Sequence, residues 1–371
     1  MKILLIGNYP RDKQRSMLRY SGLLEEGLKK HSVSVEIFTP PVFFGRFFDT
    51  TKGAGKWLGY IDKYLLASLQ LWLKRVFRKT FDVAHICDHS NAHYLFVLMG
   101  LPHTITCHDM LAVRSAKGEF PENSVGFFGR IQQSIILSGL KRSKNLTCVS
   151  KATSSDFCRL VGRVEPVTII PNAIHPKLLT DTQRITKRPD SPYLLHVGSD
   201  AWYKNRLAVL KIFKELVRRD PKLTLRIVGP NFSDSDLQKT GTETLLPQIR
   251  YFSNLSDEDL AEIYAGAELL LFPSLIEGFG WPILEAQARG TPVLTSASFP
   301  MAELNALEEL RIAGDPITEA WQKDAATAAF RVLGNGEKFR NQLLEHCANY
   351  SIDKVVQAHL ANYESILNSN G

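Results

Sequence analysis

The residues best suited to chemistry lie between positions 272 and 286, which read FPSLIEGFGWPILEA. The apolar run that leads to position 272 predicts a buried strand. Gly278 and Gly280 allow a tight turn and a close approach of the backbone to a ligand. Pro282 suits the first position of a helix, where unpaired N–H groups and the helix dipole favour an anion. The sequence therefore predicts an anion-binding turn after this strand.

Two carboxylates flank the predicted turn. Glu277 lies on the turn itself, and Glu285 is expected in the first turn of the helix that follows, facing the same ligand. Acidic side chains beside an anion site suit the recognition of hydroxyl groups, such as those of sugars and ribose. The alternative is structural: Glu285 complements the helix dipole and Glu277 is a surface loop residue.

A second candidate segment runs from Leu195 to Asn205 and reads LHVGSDAWYKN. It predicts a loop containing Gly198 and Ser199 after a strand, and then a helix that opens at Asn205. Lys204 is placed to meet a diphosphate as a point charge. The alternative is a solvated lysine at the start of a helix.

A histidine follows the strand predicted at 103–107, within the sequence TCHD at 106–109. Parallel sheets bind ligands at the carboxyl ends of their strands, so His108 is a candidate to hydrogen-bond a donor hydroxyl group or an acceptor. The alternative is a structural histidine.

The stretch 277–285 resembles the E-x7-E signature of glycosyltransferase family 4, which contains retaining enzymes of the GT-B fold. The similarity continues through EAQARGTPV at 285–293. The resemblance implies that Glu285 binds the ribose hydroxyls of a nucleotide-sugar and that Glu277 lies against the donor sugar. It also places three residues near the sugar and diphosphate: Gly278, Phe279 and Gly280.

The other two segments agree with this resemblance. The loop with Gly198, Ser199 and Lys204 is similar to the family's phosphate-binding loop, and an HD pair occupies the strand end at His108. One departure is Tyr203, which stands where many relatives have arginine. The resemblance implies His108, Lys204 and Glu277 as catalytic residues, hexosyl transfer without a metal, and a role in surface polysaccharide assembly.

Short β-branched runs alternate with amphipathic helical stretches through the chain. The strands are predicted at 2–6, 33–38, 82–86, 103–107, 145–149, 167–170, 193–197, 223–228, 268–272 and 292–295. Such alternation predicts mostly parallel sheets with helices on both faces. The polar, proline-containing stretch 181–192 predicts a linker.

We therefore expect two α/β domains, at 1–180 and 193–350, and a final amphipathic helix from Ser351. The resemblance makes these the two Rossmann-like domains of a GT-B enzyme, which face each other across a cleft. The first would bind the acceptor and the second the nucleotide-sugar, and the helix in 351–371 would return to the first.

Composition excludes a disordered, collagen-like or low-complexity chain. With 44% hydrophobic and 22% charged residues, the 371-residue chain is expected to fold. Five cysteines without CxxC spacing favour reduced thiols in the cytoplasm. Residues 1–192 carry an excess of 13 positive charges and residues 193–371 an excess of six negative charges. The basic half implies an anionic partner, although a solvated surface is the alternative; no aromatic-basic motif for nucleic acid is present.

One predicted helix has a basic amphipathic pattern. Residues 56–79 combine tryptophan, leucine and phenylalanine with lysine and arginine. Such a helix can lie on anionic lipid at the inner face of a membrane, which would suit a lipid-linked acceptor. The alternative is a helix packed in the core with a solvated basic end.

The sequence predicts no metal site. The DxD at Asp234–Asp236 is interpreted as helix-cap chemistry, as is the segment from Ser256 to Asp259. The leading hypothesis is a retaining glycosyltransferase that moves a sugar from a nucleoside-diphosphate sugar to a hydroxyl of a glycan or lipid-linked acceptor. The alternatives are a GT-B nucleotide-sugar epimerase and a nucleotide-sugar-binding protein that has lost turnover, for which Tyr203 is the best argument.

Overall fold

The computed structural model describes residues 1–12, 14–50, 53–77, 81–98, 100–164, 167–180 and 192–369. Two compact units divide the chain: Met1–Ala173 with Ile352–Gly371, and Ile174–Ser351. Apart from Pro192, the predicted linker lies outside the described residues.

The first unit is built on a parallel sheet. Its strands are β1 (Lys2–Ile6), β2 (Ser34–Phe38), β3 (Val83–Ile86), β4 (His103–Cys107), β5 (Leu146–Cys148) and β6 (Thr168–Ile169). They lie in the order β2-β1-β3-β4-β5-β6. All six predicted strands of this half are confirmed, most of them one or two residues shorter than predicted. The central strands β1, β3 and β4 are almost wholly buried, as helices on both faces require.

Helices follow most of these strands. They are α1 (Arg15–Lys30), α2 (Gly53–Tyr60), α3 (Ala67–Phe77), α4 (Leu111–Ala116), α5 (Phe127–Arg142) and α6 (Lys151–Val161). A π-helical turn, Ile61–Leu66, joins α2 to α3. Ser150, at the end of β5, caps α6 by accepting a hydrogen bond from the Thr153 N–H.

The second unit repeats the parallel arrangement. Its strands are β7 (Tyr193–Val197), β8 (Thr224–Val228), β9 (Ile249–Phe252), β10 (Leu269–Phe272), β11 (Val293–Ser296) and β12 (Arg311–Ile312), in the order β12-β11-β10-β7-β8-β9. The predictions of β7, β8, β10 and β11 are confirmed. The sequence analysis missed β9 and β12, which are edge strands without a continuous buried run.

The helices of this unit pack on its sheet or on one another. They are α7 (Pro176–Thr180), α8 (Arg206–Val217), α9 (Asp234–Thr240), α10 (Asp257–Ala265), α11 (Trp281–Ala288), α12 (Met301–Leu304), α13 (Glu319–Val332) and α14 (Arg340–Cys347). The apolar core between sheet and helices contains Phe213, Leu271 and Trp321.

The last helix, α15 (Ile352–Asn368), returns to the first unit, as predicted. Hydrogen bonds between buried polar groups join this helix to the sheet. His85 pairs through Nδ1 with the Tyr363 hydroxyl (2.6 Å) and through Nε2 with Thr106 Oγ1 (2.7 Å). The Tyr20 hydroxyl lies 2.9 Å from the same Thr106 oxygen and 3.2 Å from His359 Nε2. These hydrogen bonds fix the register of α15 on the sheet.

This buried network predicts a loss of stability in acid. Burial, together with the nearby charge of His108, lowers the pKa of His359 to about 3. The unfolded chain ionises this group near pH 6.5, so between these values it binds more protons than the folded chain. The free energy of unfolding should therefore fall as the pH drops below about 6.5, by up to ~1.4 kcal/mol per pH unit for one such histidine.

The measurement is urea unfolding at pH 7.5, 6 and 5, followed by circular dichroism. His359→Asn should make the fall with pH shallower, whereas Gln357→Asn, at an exposed position of the same helix that does not titrate, should leave it unchanged. Equal slopes for the wild type and His359→Asn would contradict the assignment.

Candidate functional site

Two loops at the carboxyl ends of neighbouring strands are bonded together in the second unit. One follows β7 and the other follows β10, which lie side by side in the sheet. The Leu275 N–H donates to the Tyr203 carbonyl (2.8 Å). The Asn205 side-chain amide donates to the carbonyls of Pro273 and Pro316, both at 3.2 Å. These bonds set the position of Lys204 relative to the glycine-containing turn.

The structure brings the predicted Lys204 and Glu277 into an ion pair. Lys204 Nζ lies 2.7 Å from Glu277 Oε1, with side chains only 13% and 9% exposed. The ammonium also lies 5.0 Å from the centre of the Phe272 ring. A lysine ammonium has three N–H donors, so the bond to Glu277 orients it and leaves capacity for an anion. Lys204 is therefore not the fully solvated lysine of the structural alternative.

The glycine after β8 allows a close backbone approach to the loop after β7. A Cβ atom on Gly229, whose φ is +153°, would lie 2.1 Å from the Gly198 carbonyl oxygen. The loops that follow β7 and β8 therefore touch through their main chains. Ser199 is exposed, and its Oγ accepts a long hydrogen bond of 3.5 Å from the Ala201 N–H.

Sequence reasoning missed His196, the penultimate residue of β7. Its Nδ1–H donates to the Leu271 carbonyl (2.9 Å). Burial, with the charges of Arg206 and Lys204, lowers the pKa of His196 to about 4 and keeps the ring neutral. Nε2 is then an acceptor, and it is buried without a hydrogen-bond partner in the described part of the chain. A histidine inside an apolar strand gives no such signal in the sequence.

Arg206, at the start of α8, was also missed. Its guanidinium lies 4.3 Å from the centre of the Phe232 ring and donates a hydrogen bond to the Pro230 carbonyl. Burial lowers the pKa of this arginine. Its Nε is buried and has no hydrogen-bond partner among the described residues. The site therefore has a second, partly desolvated cation.

The turn before α11 has the geometry that glycine permits. Gly280 adopts a φ of +117° and precedes the first helical residue, Trp281. A Cβ on Gly280 would lie 3.2 Å from Ile283 Cδ1, so both the conformation and the space favour glycine. Pro282 is the second helical residue rather than the first. Phe279 is buried with its ring 6.1 Å from that of Trp281, which makes its side chain a support for the turn.

The expectation that Glu285 lies in the first turn of the helix is wrong. Because α11 begins at Trp281, Glu285 is its fifth residue. It is only 4% exposed, and its Oε2 accepts a 2.8 Å hydrogen bond from the Tyr264 hydroxyl. Glu285 is therefore held by Tyr264 in the second turn of the helix and does not complement its dipole. Tyr264, on α10, is a positioning residue that the sequence did not indicate.

His108 lies in the first unit, at the end of β4. Its Nε2–H donates to the Cys87 carbonyl (2.9 Å), and its ring meets the Tyr20 ring edge-on at 4.6 Å. Burial lowers the pKa of His108, although the charge of Asp88 partly opposes this effect. The imidazole is therefore neutral near pH 7, and it is buried rather than exposed.

A buried carboxylate next to this strand end was missed. Asp88, after β3, accepts hydrogen bonds from Asn8 Nδ2 (2.5 Å), the Ser90 N–H (3.0 Å) and the Ser90 hydroxyl (2.7 Å), and lies 3.1 Å from His89 Nδ1. Burial alone would raise the pKa of Asp88, but His89 and Asn8 hold it well below its usual range. The signal that selected His108, a polar residue at the end of a strand, extends to Asp88, which follows β3 after one intervening residue.

The DxD sequence is a helix cap, as predicted. Ser233 and Asp236 form a reciprocal capping box at the start of α9, and Ser256 and Asp259 do the same at α10. Among the described residues, no three His, Cys, Asp or Glu side chains are placed to hold a metal ion.

Two family models match consecutive parts of the chain. "Glycosyltransferase Family 4" matches residues 19–178, and "Glycosyl transferases group 1" matches residues 180–353. Together they span most of the sequence, and the break between them falls where the chain leaves the first unit. The chain belongs to the family 4 glycosyltransferases.

Curated relatives match over parts of their length. The D-inositol 3-phosphate glycosyltransferase of Nocardia farcinica is 28% identical over 192 residues, which cover 48% of this chain and 42% of that protein. The O-antigen chain mannosyltransferase B of Escherichia coli is 52% identical over 107 residues, or 28% of each chain. In both cases the matched part spans less than half of the relative.

Solved structures match over the full length of this family member. A sucrose-phosphate synthase from Thermosynechococcus elongatus superposes with a TM-score of 0.73 at 17% identity, covering all of both chains. An Anabaena protein, HepE, in complex with UDP and glucose gives 0.68 at 15% identity and covers 98% of this chain and all of that one. These similarities establish the two-domain α/β GT-B fold.

The turn before α11 gives a prediction about backbone strain. Gly280→Ala forces a side chain into a left-handed conformation against Ile283 and should lower the free energy of unfolding by roughly 1–2 kcal/mol. Gly336→Ala is the matched control in the same unit, because its nearest neighbours are 3.7 Å away and its φ is not positive. Urea unfolding measures both, and equal stabilities would contradict the assigned geometry.

Proposed function

We propose that this glycosyltransferase is a retaining hexosyltransferase that transfers a sugar from a nucleoside-diphosphate sugar to a hydroxyl of a glycan or lipid-linked acceptor. The observation that carries the proposal is the Lys204–Glu277 ion pair, held beside the turn that opens α11. It combines a fixed cation for a diphosphate with a carboxylate for sugar hydroxyls.

In this proposal two cations, Lys204 and Arg206, bind the negatively charged diphosphate of the donor. Lys204 binds it as a point charge from the start of α8, and Arg206 supplies the second cation that Tyr203 does not. Support comes from the buried, unpartnered Nε of Arg206 and from the effect of both charges on His196. The N–H groups at the start of α11 add a further anion site.

In the same proposal Glu285 binds the nucleoside of the donor. Its carboxylate, oriented by Tyr264, accepts hydrogen bonds from the ribose hydroxyls. The backbone at Gly198, Ser199, Gly278, Phe279 and Gly280 lines the path of the diphosphate and sugar. A UDP or UDP-sugar donor is supported by two similar structures, HepE with UDP and glucose and a trehalose-6-phosphate protein from E. coli with UDP-2-fluoro-glucose.

The chemical step depends on stabilising a departing diphosphate. Charge develops on the leaving phosphate oxygen, and Lys204 and the α11 N–H groups meet it without reorganisation, so no metal is required. Glu277 orients hydroxyls of the sugar bound to the second unit. As the resemblance implies, the neutral His108 of the first unit is a hydrogen-bond partner for a hydroxyl of the donor or the acceptor. The departing phosphate itself accepts the proton of the acceptor hydroxyl on the same face of the sugar. The glycosidic bond to phosphate breaks, the bond to the acceptor oxygen forms, and the configuration is retained.

Calorimetric titration with UDP, GDP, ADP and dTDP tests the donor site. One diphosphate should bind, and Lys204→Met should weaken it at least tenfold, about 1.4 kcal/mol. Glu285→Ala should weaken it similarly, because the ribose contacts are lost. Glu277→Gln removes the charge that competes for Lys204 and should leave diphosphate affinity equal or tighter.

Lys239→Met, which replaces an exposed lysine of the same unit, is the matched control and should bind like the wild type. Thermal unfolding of each variant verifies that it folds. The donor site is wrong if no diphosphate binds or if Lys204→Met binds as tightly as the wild type.

Transfer itself is followed with the matching nucleotide-sugar and glycan or lipid-linked acceptors. We expect product whose anomeric proton signal has the donor's configuration, formed equally well with and without EDTA. An inverted signal, or activity lost in EDTA and restored by a divalent cation, would contradict this part of the proposal.

Tyr203 favours one alternative, a donor-binding protein without turnover. Its ring lies 5.5 Å from Lys204 Nζ, and the family resemblance implies an arginine at this position of the sequence. Donor binding without transfer or hydrolysis would support this alternative, and Tyr203→Arg would then be expected to tighten diphosphate binding.

A further inference from the structure

The helical segment from α2 to α3 turns its apolar side outward. Its exposed stripe contains Trp57, Ile61, Leu65, Leu69, Trp72 and Val76, spaced by three or four residues. The opposite side of the segment faces the protein with Gly59, Asp62, Ala67 and the core residue Leu71. At 1.5 Å per residue, the stripe is about 30 Å long. The segment therefore packs in the core through Ala67 and Leu71 but not through the stripe residues; Arg78 and Lys79 lie outside the described chain.

A second element extends the stripe sideways. Helix α5 exposes Phe127, Phe128, Ile131 and Ile135 along one face. The Phe128 ring packs edge-on against Trp57, with ring centres 5.1 Å apart. These residues were not anticipated from the sequence, because they become one surface with the stripe only in the fold.

A third segment, residues 43–48, is hydrogen-bonded to the π-helical turn. The buried Asp62 carboxylate accepts hydrogen bonds from the N–H groups of Phe43 (3.1 Å), Phe44 (2.9 Å) and Gly45 (2.8 Å) and from the Tyr9 hydroxyl (2.8 Å). These hydrogen bonds hold segment 43–48, which has four exposed phenylalanines, next to the stripe. We call the surface formed by 43–48, 57–77 and 127–135 the aromatic face.

The aromatic face holds most of the exposed large apolar side chains. Sixteen of the 24 such side chains found among the described residues belong to it. Its exposed charges are basic: Arg75 and Arg130 lie within it and Arg46 beside Phe47. The described residues of its three segments expose no acidic side chain, since Asp62 is buried; Asp49 lies just beyond the first segment.

We propose that the aromatic face docks on a lipid bilayer with anionic headgroups. Exposed tryptophan and phenylalanine on a helix face, together with exposed arginine, is the composition that lies in a membrane interface. Each basic side chain near an anionic surface contributes roughly fivefold to binding. A second copy on this face would place basic residues against basic residues, which opposes self-association. Among the described helices, none has the length and apolar character of a membrane-spanning segment.

Vesicle flotation tests the proposal without donor or acceptor, and therefore independently of the proposed function. The full chain is mixed with vesicles of phosphatidylcholine alone or with one third phosphatidylglycerol. We expect strong flotation with the anionic vesicles, weaker flotation with the neutral ones, and a fall with added salt. The triple variant Phe47→Ser/Leu65→Ser/Phe127→Ser removes one side chain per segment, each at least 64% exposed, and should bind at least tenfold more weakly.

The matched control is Leu246→Ser/Ile317→Ser/Phe330→Ser, three exposed apolar residues of the second unit, which should float like the wild type. Anionic vesicles should also shift tryptophan emission to the blue, and Trp57→Phe/Trp72→Phe should remove most of that shift. The proposal is overturned if the wild type does not float, or if the aromatic-face variant floats equally well. Sedimentation that shows a dimer broken by the same variant would instead assign the face to a second copy.

Discussion

Parallel strand direction is the constraint on which this structure depends. In a parallel sheet every strand delivers its carboxyl end, and hence its following loop, to the same edge. That constraint brings Lys204 and Glu277, 73 positions apart in sequence, to 2.7 Å in the second unit. The same constraint groups Asn8, Asp88 and His108 at one edge of the first unit. Backbone bonds such as Leu275 to Tyr203 then convert a shared edge into a defined geometry.

Much of this arrangement could be predicted because it depends on local patterns. Apolar runs bounded by polar turns identified the strands, and glycine and proline marked the turn before α11. Edge strands β9 and β12 were missed because half-exposed or two-residue segments carry no distinctive period. The burial of Glu285 was missed for a different reason. Whether its carboxylate faces outward depends on where α11 starts and on Tyr264, which approaches from another helix.

Buried histidines show the same limit of sequence reasoning. His196 and His359 lie at ordinary positions in a strand and a helix, and nothing in their neighbours predicts their lowered pKa values. Burial lowers these pKa values, and the two side chains become buried only when the unit folds. For the aromatic face, the sequence shows the pattern but not the direction in which it points. Residues 56–79 have the pattern of a helix with one apolar side, but periodicity does not reveal whether that side points inward or outward.

The return of α15 to the first unit bears on how the chain is made. Tyr20 and His85 acquire their partners His359 and Tyr363 only from residues more than 250 positions later. During synthesis, the first sheet therefore emerges with these two hydrogen bonds unmade and without α15. The intervening unit, Ile174–Ser351, has all its strands before α15 appears. The second unit thus has its described strands while the first still lacks α15, so completion of the first unit depends on an element that follows the whole second unit.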